Sequence, residues 1–228
     1  MFFGSRGILV GMGLLRHLPF AGRSEKGSVR ADGTKQDLGL YWDPKMAALL
    51  ESWGEGNAWH EALFLFSGKT GKALDVACGT GIVMEKLALV SNLEIHGCDI
   101  SDFLIMKARE RGILNERLKV CDATELPYGT AEFDYSYSIG SLEHFTEEGI
   151  RNCFAEMARV TRKASYHFMP VSRSGKDEGW MKTLQSFHNC SVGWWRGRLS
   201  PYFSKILDLP SLWKDDISVG RWFLCFKD

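Results

Sequence analysis

The residues best suited to chemistry begin at Leu74, where the chain reads Leu-Asp-Val-Ala-Cys-Gly-Thr-Gly, an apolar run carrying Asp75 and closing on Gly79 and Gly81. A turn without side chains at those two positions takes backbone angles closed to other residues, and a ligand can lie directly on its peptide groups. Further along, Gly97-Cys98-Asp99-Ile100-Ser101 places a carboxylate at the expected tip of a second strand. Its two acceptor oxygens match two vicinal hydroxyls, which is what a ribose presents. The pattern predicts a buried strand, a bare turn, a helix, a second strand and an acid, gathered around a ribose-bearing ligand.

A glycine pair at a strand-to-helix turn also opens dinucleotide sites, and the third position decides between the two ligands. A dinucleotide fingerprint wants Gly or Ala there for close helix packing, with the helix amino end on a pyrophosphate. Here that position holds Met84. S-adenosylmethionine carries a ribose and no phosphate, so nothing in its chemistry demands a small third residue, and it is the ligand inferred.

Two more segments extend the pattern. Arg117-Leu118-Lys119-Val120-Cys121 reads as a third strand ending in Asp122-Ala123. Phe133-Asp134-Tyr135-Ser136-Tyr137-Ser138 reads as a fourth, running into Ile139-Gly140-Ser141-Leu142-Glu143-His144-Phe145. Taken in order, the four segments resemble the class I S-adenosylmethionine-dependent methyltransferases, especially the group that includes quinone-ring C-methylating enzymes and other small-molecule methylators; the resemblance covers about residues 72 to 170. It implies an α/β fold, a Rossmann-like parallel sheet with helices on both faces and a terminal antiparallel strand. It also implies that Asp75, Ala77, Gly79 and Gly81 lie along the methionine moiety, that Asp99 holds the ribose with Ile100 beside the adenine, and that Asp122 meets the adenine amino group with Ala123 next to it. Ser138 is then expected near the transferring methyl, and the product is S-adenosyl-L-homocysteine. One stretch departs from the family: where relatives commonly read Arg-Val-Leu-Lys-Pro-Gly-Gly before the fifth strand, this chain reads Arg159-Val160-Thr161-Arg162-Lys163-Ala164-Ser165, so an unusual entry to that strand is expected.

Methyl transfer asks mainly for geometry, because the sulfonium is already an activated leaving group and good orientation supplies about 7–11 kcal/mol. A base is needed only where the nucleophile carries a proton of high pKa. His144, just past the fourth strand, is the catalytic candidate, with Glu143, Tyr137 and His167 behind it.

The 228 residues suit one domain with decorations, and 28 basic against 28 acidic residues leave no global field toward nucleic acid or membrane. A small-molecule acceptor, aromatic, lipidic or anionic, is what the resemblance implies, and no nucleic-acid partner is expected. RNA or protein methylation and a noncatalytic S-adenosylmethionine-binding subunit stay open as alternatives. The six cysteines lack metal-ligand spacing, so no metal site is expected, and they read as packed, reduced thiols of a cytoplasmic protein. Residues 1–37 read as a leader and linker. The leader is apolar, carries Arg6 and Arg16 with no acid before Glu25, and is too short in its apolar run to span a bilayer, which leaves organellar import or peripheral membrane contact open. Val10-Gly11-Met12-Gly13 there imitates a nucleotide turn without the acids that would complete it.

Residues 38–228 read as a single methyltransferase domain: helices over 38–70, a cofactor-binding core over 72–170 and an acceptor-side region over 171–228. Helices are expected at Pro44 to Trp53 and Ala58 to Ser67, then strand 72–77, helix 82–90, strand 93–98, helix 101–111, strands 117–121 and 132–138, helix 147–160 and strand 164–170. Beyond these, Gly179 to Phe187 is expected as a helix, a short helix near Tyr202 to Leu207, and a strand at Arg221 to Lys227 plus one more. All eight tryptophans lie outside the motif core, and Trp53 or Trp59 is the best candidate for an acceptor-pocket wall. Trp194-Trp195-Arg196-Gly197-Arg198 joins rings to guanidiniums, a mixture suited to a membrane surface, an interface or RNA bases.

Overall fold

The computed structural model describes residues 37–227; the leader and its glycine pair lie outside the described residues. Two short helices, α1 (Pro44–Leu50) and α2 (Ala58–Phe66), open the fold after a 3-10 turn at Leu38–Trp42. Asp43 caps α1 through Lys45 N–H, with Pro44 at its first position, as the sequence predicts; the helix stops at Leu50, short of Trp53. Then come β1 (Thr70–Val76), α3 (Ile82–Ala88), β2 (Asn92–Asp99), α4 (Asp102–Glu110), β3 (Leu118–Val120), β4 (Phe133–Ile139), α5 (Glu147–Val160) and β5 (Thr161–Ser172). A small hairpin, β6 (Gly179–Met181) and β7 (Phe187–Asn189), precedes α6 (Val192–Leu199), β8 (Lys205–Lys214) and β9 (Ser218–Phe226).

Seven strands form one sheet in the order β3-β2-β1-β4-β5-β9-β8. The first five pair in parallel, while β9 runs antiparallel to both β5 and β8. Residues on successive positions of a strand face opposite sides, so Ala73 joins the core beneath α2, α3 and α4, whereas Leu74 and Val76 join the core beneath α5 and α6. The helix α5 shows why: Ile150, Cys153, Phe154, Met157 and Ala158 recur at helical spacing and are buried, with Thr146 capping Gly149 N–H and Glu147 and Glu148 in the first turn. Strand order reverses at β1, which pairs with β2 on one side and β4 on the other, and a crevice opens there beyond the carboxyl ends of the strands.

The unusual entry to β5 is real. The helix α5 ends at Val160 and the strand starts at Thr161, so Thr161 serves as both helix C-cap and first strand residue. Its hydroxyl donates to Ser136 Oγ at 2.6 Å, which takes the place of a glycine turn in anchoring the junction.

Two expectations in the last third are corrected. Residues 179–187 form the β6–β7 hairpin rather than a helix: Trp180 pairs with His188 across it, their rings 4.8 Å apart, and Gly179 enters with φ +81. The stretch 202–207 runs into the edge strand β8, where pairing with β9 overrides local helical spacing. The helix actually present, α6, carries Gly193, Gly197 and two tryptophans, all poor helix formers. It exists because Ser191 caps it and because Trp195 and Leu199, four apart, are buried. Among the described residues no helix is long and apolar enough to cross a membrane.

Candidate active site

The crevice at the strand-order reversal is a cavity of about 360 Å³, within the usual range for ligand pockets. Its floor is the turn after β1. Ala77 has φ +59, Gly79 φ +55 and Gly81 φ +75, three left-handed residues in one turn. The two glycines do different work. A β-carbon on Gly79 would meet only Leu50, at 3.6 Å, so its peptide faces the cavity. One on Gly81 would collide with Ile113 and stand 3.1 Å from Ala108 Cβ, so Gly81 admits the close approach of α4 and the turn behind it, and it is not a cavity wall. Met84 also finds its reason: its sulfur packs where a side chain on Gly97 would stand, so the bare Gly97 of β2, rather than a small residue on α3, gives the room for close packing.

Asp99 ties this turn to the tip of β2. Its Oδ2 accepts Gly79 N–H at 2.9 Å and its Oδ1 accepts Ser101 N–H at 2.9 Å, leaving a further lone pair on each oxygen. Burial pushes its carboxyl above the usual range, and the backbone N–H groups oppose that rise. Asp75 is buried beside Tyr137, and desolvation, reinforced by the charge of Asp99, pushes its carboxyl well above the ordinary value. Asp122 follows β3, with Oδ1 accepting from Thr124 N–H at 2.8 Å and from its hydroxyl at 2.7 Å. Asp75, Ala77, Gly79, Asp99, Ile100, Asp122, Ala123 and His144 all line this one cavity, and among the described residues none of its walls is lysine or arginine. Carboxyl groups without lining cations among the described residues suit a cationic, hydroxylated ligand. Burial also pushes the Cys78 thiol well up, so this wall of the turn is an inert neutral thiol.

Ser138 is placed elsewhere. It is fully buried beneath the other face of the sheet, its hydroxyl 3.0 Å from His167 Nδ1, and Ile139 and Gly140 form the cavity wall at the end of β4. His167 is held neutral at about 3 by burial between Phe154 and Phe203, away from the cavity.

His144 follows β4 in a 3-10 turn, Leu142–His144. Its Nδ1 lies 3.0 Å from the Ser186 carbonyl, and burial, with His188 nearby, lowers it to about 4. The remaining walls escape sequence reasoning. Leu38 and Tyr41 form a roof, held where Ser101 Oγ donates to the Tyr41 carbonyl at 2.6 Å and Trp42 Nε1 donates to Asp102 at 2.7 Å. From the hairpin tip, Gln185 meets that roof, its Nε2 3.5 Å from the Tyr41 hydroxyl. No local motif announces Gln185. Both tryptophan candidates are walls: Trp53 lies on the bare backbone of Gly140, and Trp59 is buried behind it. The Trp194–Arg198 cluster is instead used internally. Arg198 stacks on Trp194 at 3.2 Å and pairs with Glu147, while Arg196 and Arg221 share Asp208 at 2.7 and 2.8 Å.

Residues 73–164 match the methyltransferase domain family. Similar sequences include an O-methyltransferase of Penicillium expansum, 30% identical over 55% of this chain and 47% of that protein. A probable tRNA methyltransferase 9B of Mus musculus is 38% identical over 42% of this chain and 21% of it. This chain thus spans less than half the length of either relative. Among solved structures, a SAM-dependent methyltransferase of Methanosarcina mazei superposes with a TM-score of 0.60 at 16% identity, over 73% of this chain and 96% of that one. The chain carries a methyltransferase domain and has the class I S-adenosylmethionine-dependent methyltransferase fold.

Proposed function

We propose that this methyltransferase-domain chain transfers a methyl group from S-adenosylmethionine to a small-molecule acceptor. The observation that carries the reading is the convergence of Asp75, Gly79, Asp99 and Asp122 on one cavity at the strand-order reversal. When bound, the donor supplies an activated methyl on a sulfonium. The residues of the chain hold it: Asp75, Ala77 and Gly79 along the methionine part, Asp99 through its remaining lone pairs to the ribose hydroxyls, Ile100 beside the adenine, and Asp122 with Ala123 at the adenine amino group. Gly81 serves that grip indirectly by letting α4 close behind the turn. The acceptor enters between the roof residues Leu38 and Tyr41, Trp53, His144 and Gln185.

Calorimetry with S-adenosylhomocysteine tests the donor site, and absence of binding by folded protein would refute it. A tRNA acceptor is the second reading, favoured by the similarity to a tRNA methyltransferase. Among the described residues the cavity wall without lysine or arginine and the internal pairing of Arg196 and Arg198 favour the small molecule. Salt-sensitive binding and methylation of bulk tRNA would reverse that preference.

A further inference from the structure

The acceptor end of the cavity adjoins one ionisable group that donor binding leaves unused. Glu143 is buried in the turn after β4, and its Oε2 has no hydrogen-bond partner. Its Oε1 lies 3.8 Å from Nε2 of His144, and among the described residues no lysine or arginine forms an ion pair with it. A buried carboxyl without a cation is costly to keep. Burial raises it to about 8. The neighbouring ring has a defined proton: the Ser186 carbonyl can only accept, so Nδ1 of His144 carries the hydrogen and Nε2 keeps its lone pair. Of the ionisable groups on the strands packed against this turn, His188 of β7 opposes a positive charge on His144, and His167 of β5 is engaged with Ser138.

The cavity that His144 lines is walled by the aromatic and apolar side chains Leu38, Tyr41, Trp53 and Phe145 together with the uncharged polar Ser141, Thr146 and Gln185. Resting on the donor reading above, we propose that the acceptor is a neutral aromatic hydroxyl compound and that Glu143 is the positioning residue that lets His144 take its proton. In the reaction the acceptor O–H proton passes to Nε2 of His144. The new bond joins the acceptor oxygen to the methyl carbon, and the electron pair of the broken carbon–sulfur bond stays on sulfur. An isolated imidazolium is disfavoured in so buried a place; an ionised Glu143 beside it balances the charge and shares the proton until the product leaves. The competent pair therefore has Glu143 ionised and His144 neutral, a state whose share rises with pH through about 8.

The test uses the full chain, with 2-naphthol, 2-naphthylamine and 2-naphthoate as acceptor probes. Calorimetry with S-adenosylhomocysteine comes first. Equal binding by wild type, Glu143→Gln and His144→Gln shows that the variants fold and that the donor end is intact, whereas no binding by wild type refutes the donor reading itself. With binding established, 2-naphthol is methylated on oxygen in preference to the amine and the carboxylate, and kcat rises about tenfold per pH unit below about 8 and then levels. Glu143→Gln lowers kcat about 100-fold and abolishes that rise, and Glu143→Asp restores part of both. Independently of turnover, nitrogen-15 spectra show His144 protonated on Nδ1 and shifting near pH 8 in wild type but not in Glu143→Gln. Any one of three results overturns the proposal in protein that binds S-adenosylhomocysteine: an unchanged pH profile in Glu143→Gln, preference for the amine or the carboxylate, or no turnover of 2-naphthol.

Discussion

At the donor end of the cavity the polar walls come from the carboxyl ends of β1, β2 and β3 and the turns they run into, whereas at the acceptor end Leu38 and Tyr41, Trp53, His144 and Gln185 arrive from stretches spread over most of the chain. The difference is one of how each end is held. Asp99 holds the donor turn through Gly79 N–H and is itself held by Ser101 N–H at the end of β2, so that end is a product of chain geometry around two strand tips. The acceptor end is held by contacts between distant segments, Ser101 to Tyr41, Gln185 to Tyr41 and His144 to Ser186. A local grip on a common donor can persist while a roof assembled from distant parts is changed to suit an acceptor.

The largest expected effect strikes the donor end. Asp99→Ala removes the hydrogen bonds to Gly79 N–H of the turn and to Ser101 N–H as well as the ribose acceptor, and affinity for S-adenosylhomocysteine should fall by about 100-fold or more in calorimetry. Unchanged affinity would break the distinction between the two ends. Next, the glycine pair should separate by readout. Gly81→Ala meets Ile113 and should cost about 1–3 kcal/mol of stability in denaturant unfolding, while Gly79→Ala should lower donor affinity with a smaller loss of stability. Equal stability losses would mean that the packing role of Gly81 is wrong.

At the acceptor end, Trp53→Leu should raise the KM for an aromatic acceptor about tenfold while S-adenosylhomocysteine affinity stays within threefold. A parallel loss of donor affinity would erase the division. A separate effect is on stability. Burial raises Glu143 from 4.5 to about 8, so the folded state holds a proton that the unfolded state releases; that contribution is full below about 4.5 and is lost as pH rises through about 8. The Tm of Glu143→Gln relative to wild type should therefore climb between pH 5 and pH 9, and a constant difference would show that Glu143 is not held protonated.

The same contrast explains what could be read from the residues alone. From β1 to α5 the expected elements fall within about two residues of the observed ones, because buried parallel strands and the α5 stripe each carry their own period. Asp75, Ala77, Gly79, Asp99, Ile100, Asp122 and Ala123 share one cavity because each sits at or beside a strand tip, a placement that the spacing of the motifs predicts. Gly81 and Ser138 were misplaced because spacing along a strand or turn does not reveal which neighbour fills the space beside it, here Ile113 and His167. The hairpin, α6 and β8 were illegible because the pairing of β6 with β7, the burial of Trp195 and the pairing of β8 with β9 decide them, and none of these shows in helical or strand spacing. Gln185 has no signal until β6 and β7 fold it over the cavity.

A crystal structure with S-adenosylhomocysteine bound tests the central claim most directly. The account predicts the ribose hydroxyls on Asp99, the adenine edge at Asp122 and the sulfur facing the space between Trp53 and His144. A ligand seated elsewhere, or one whose ribose makes no contact with Asp99, would contradict it.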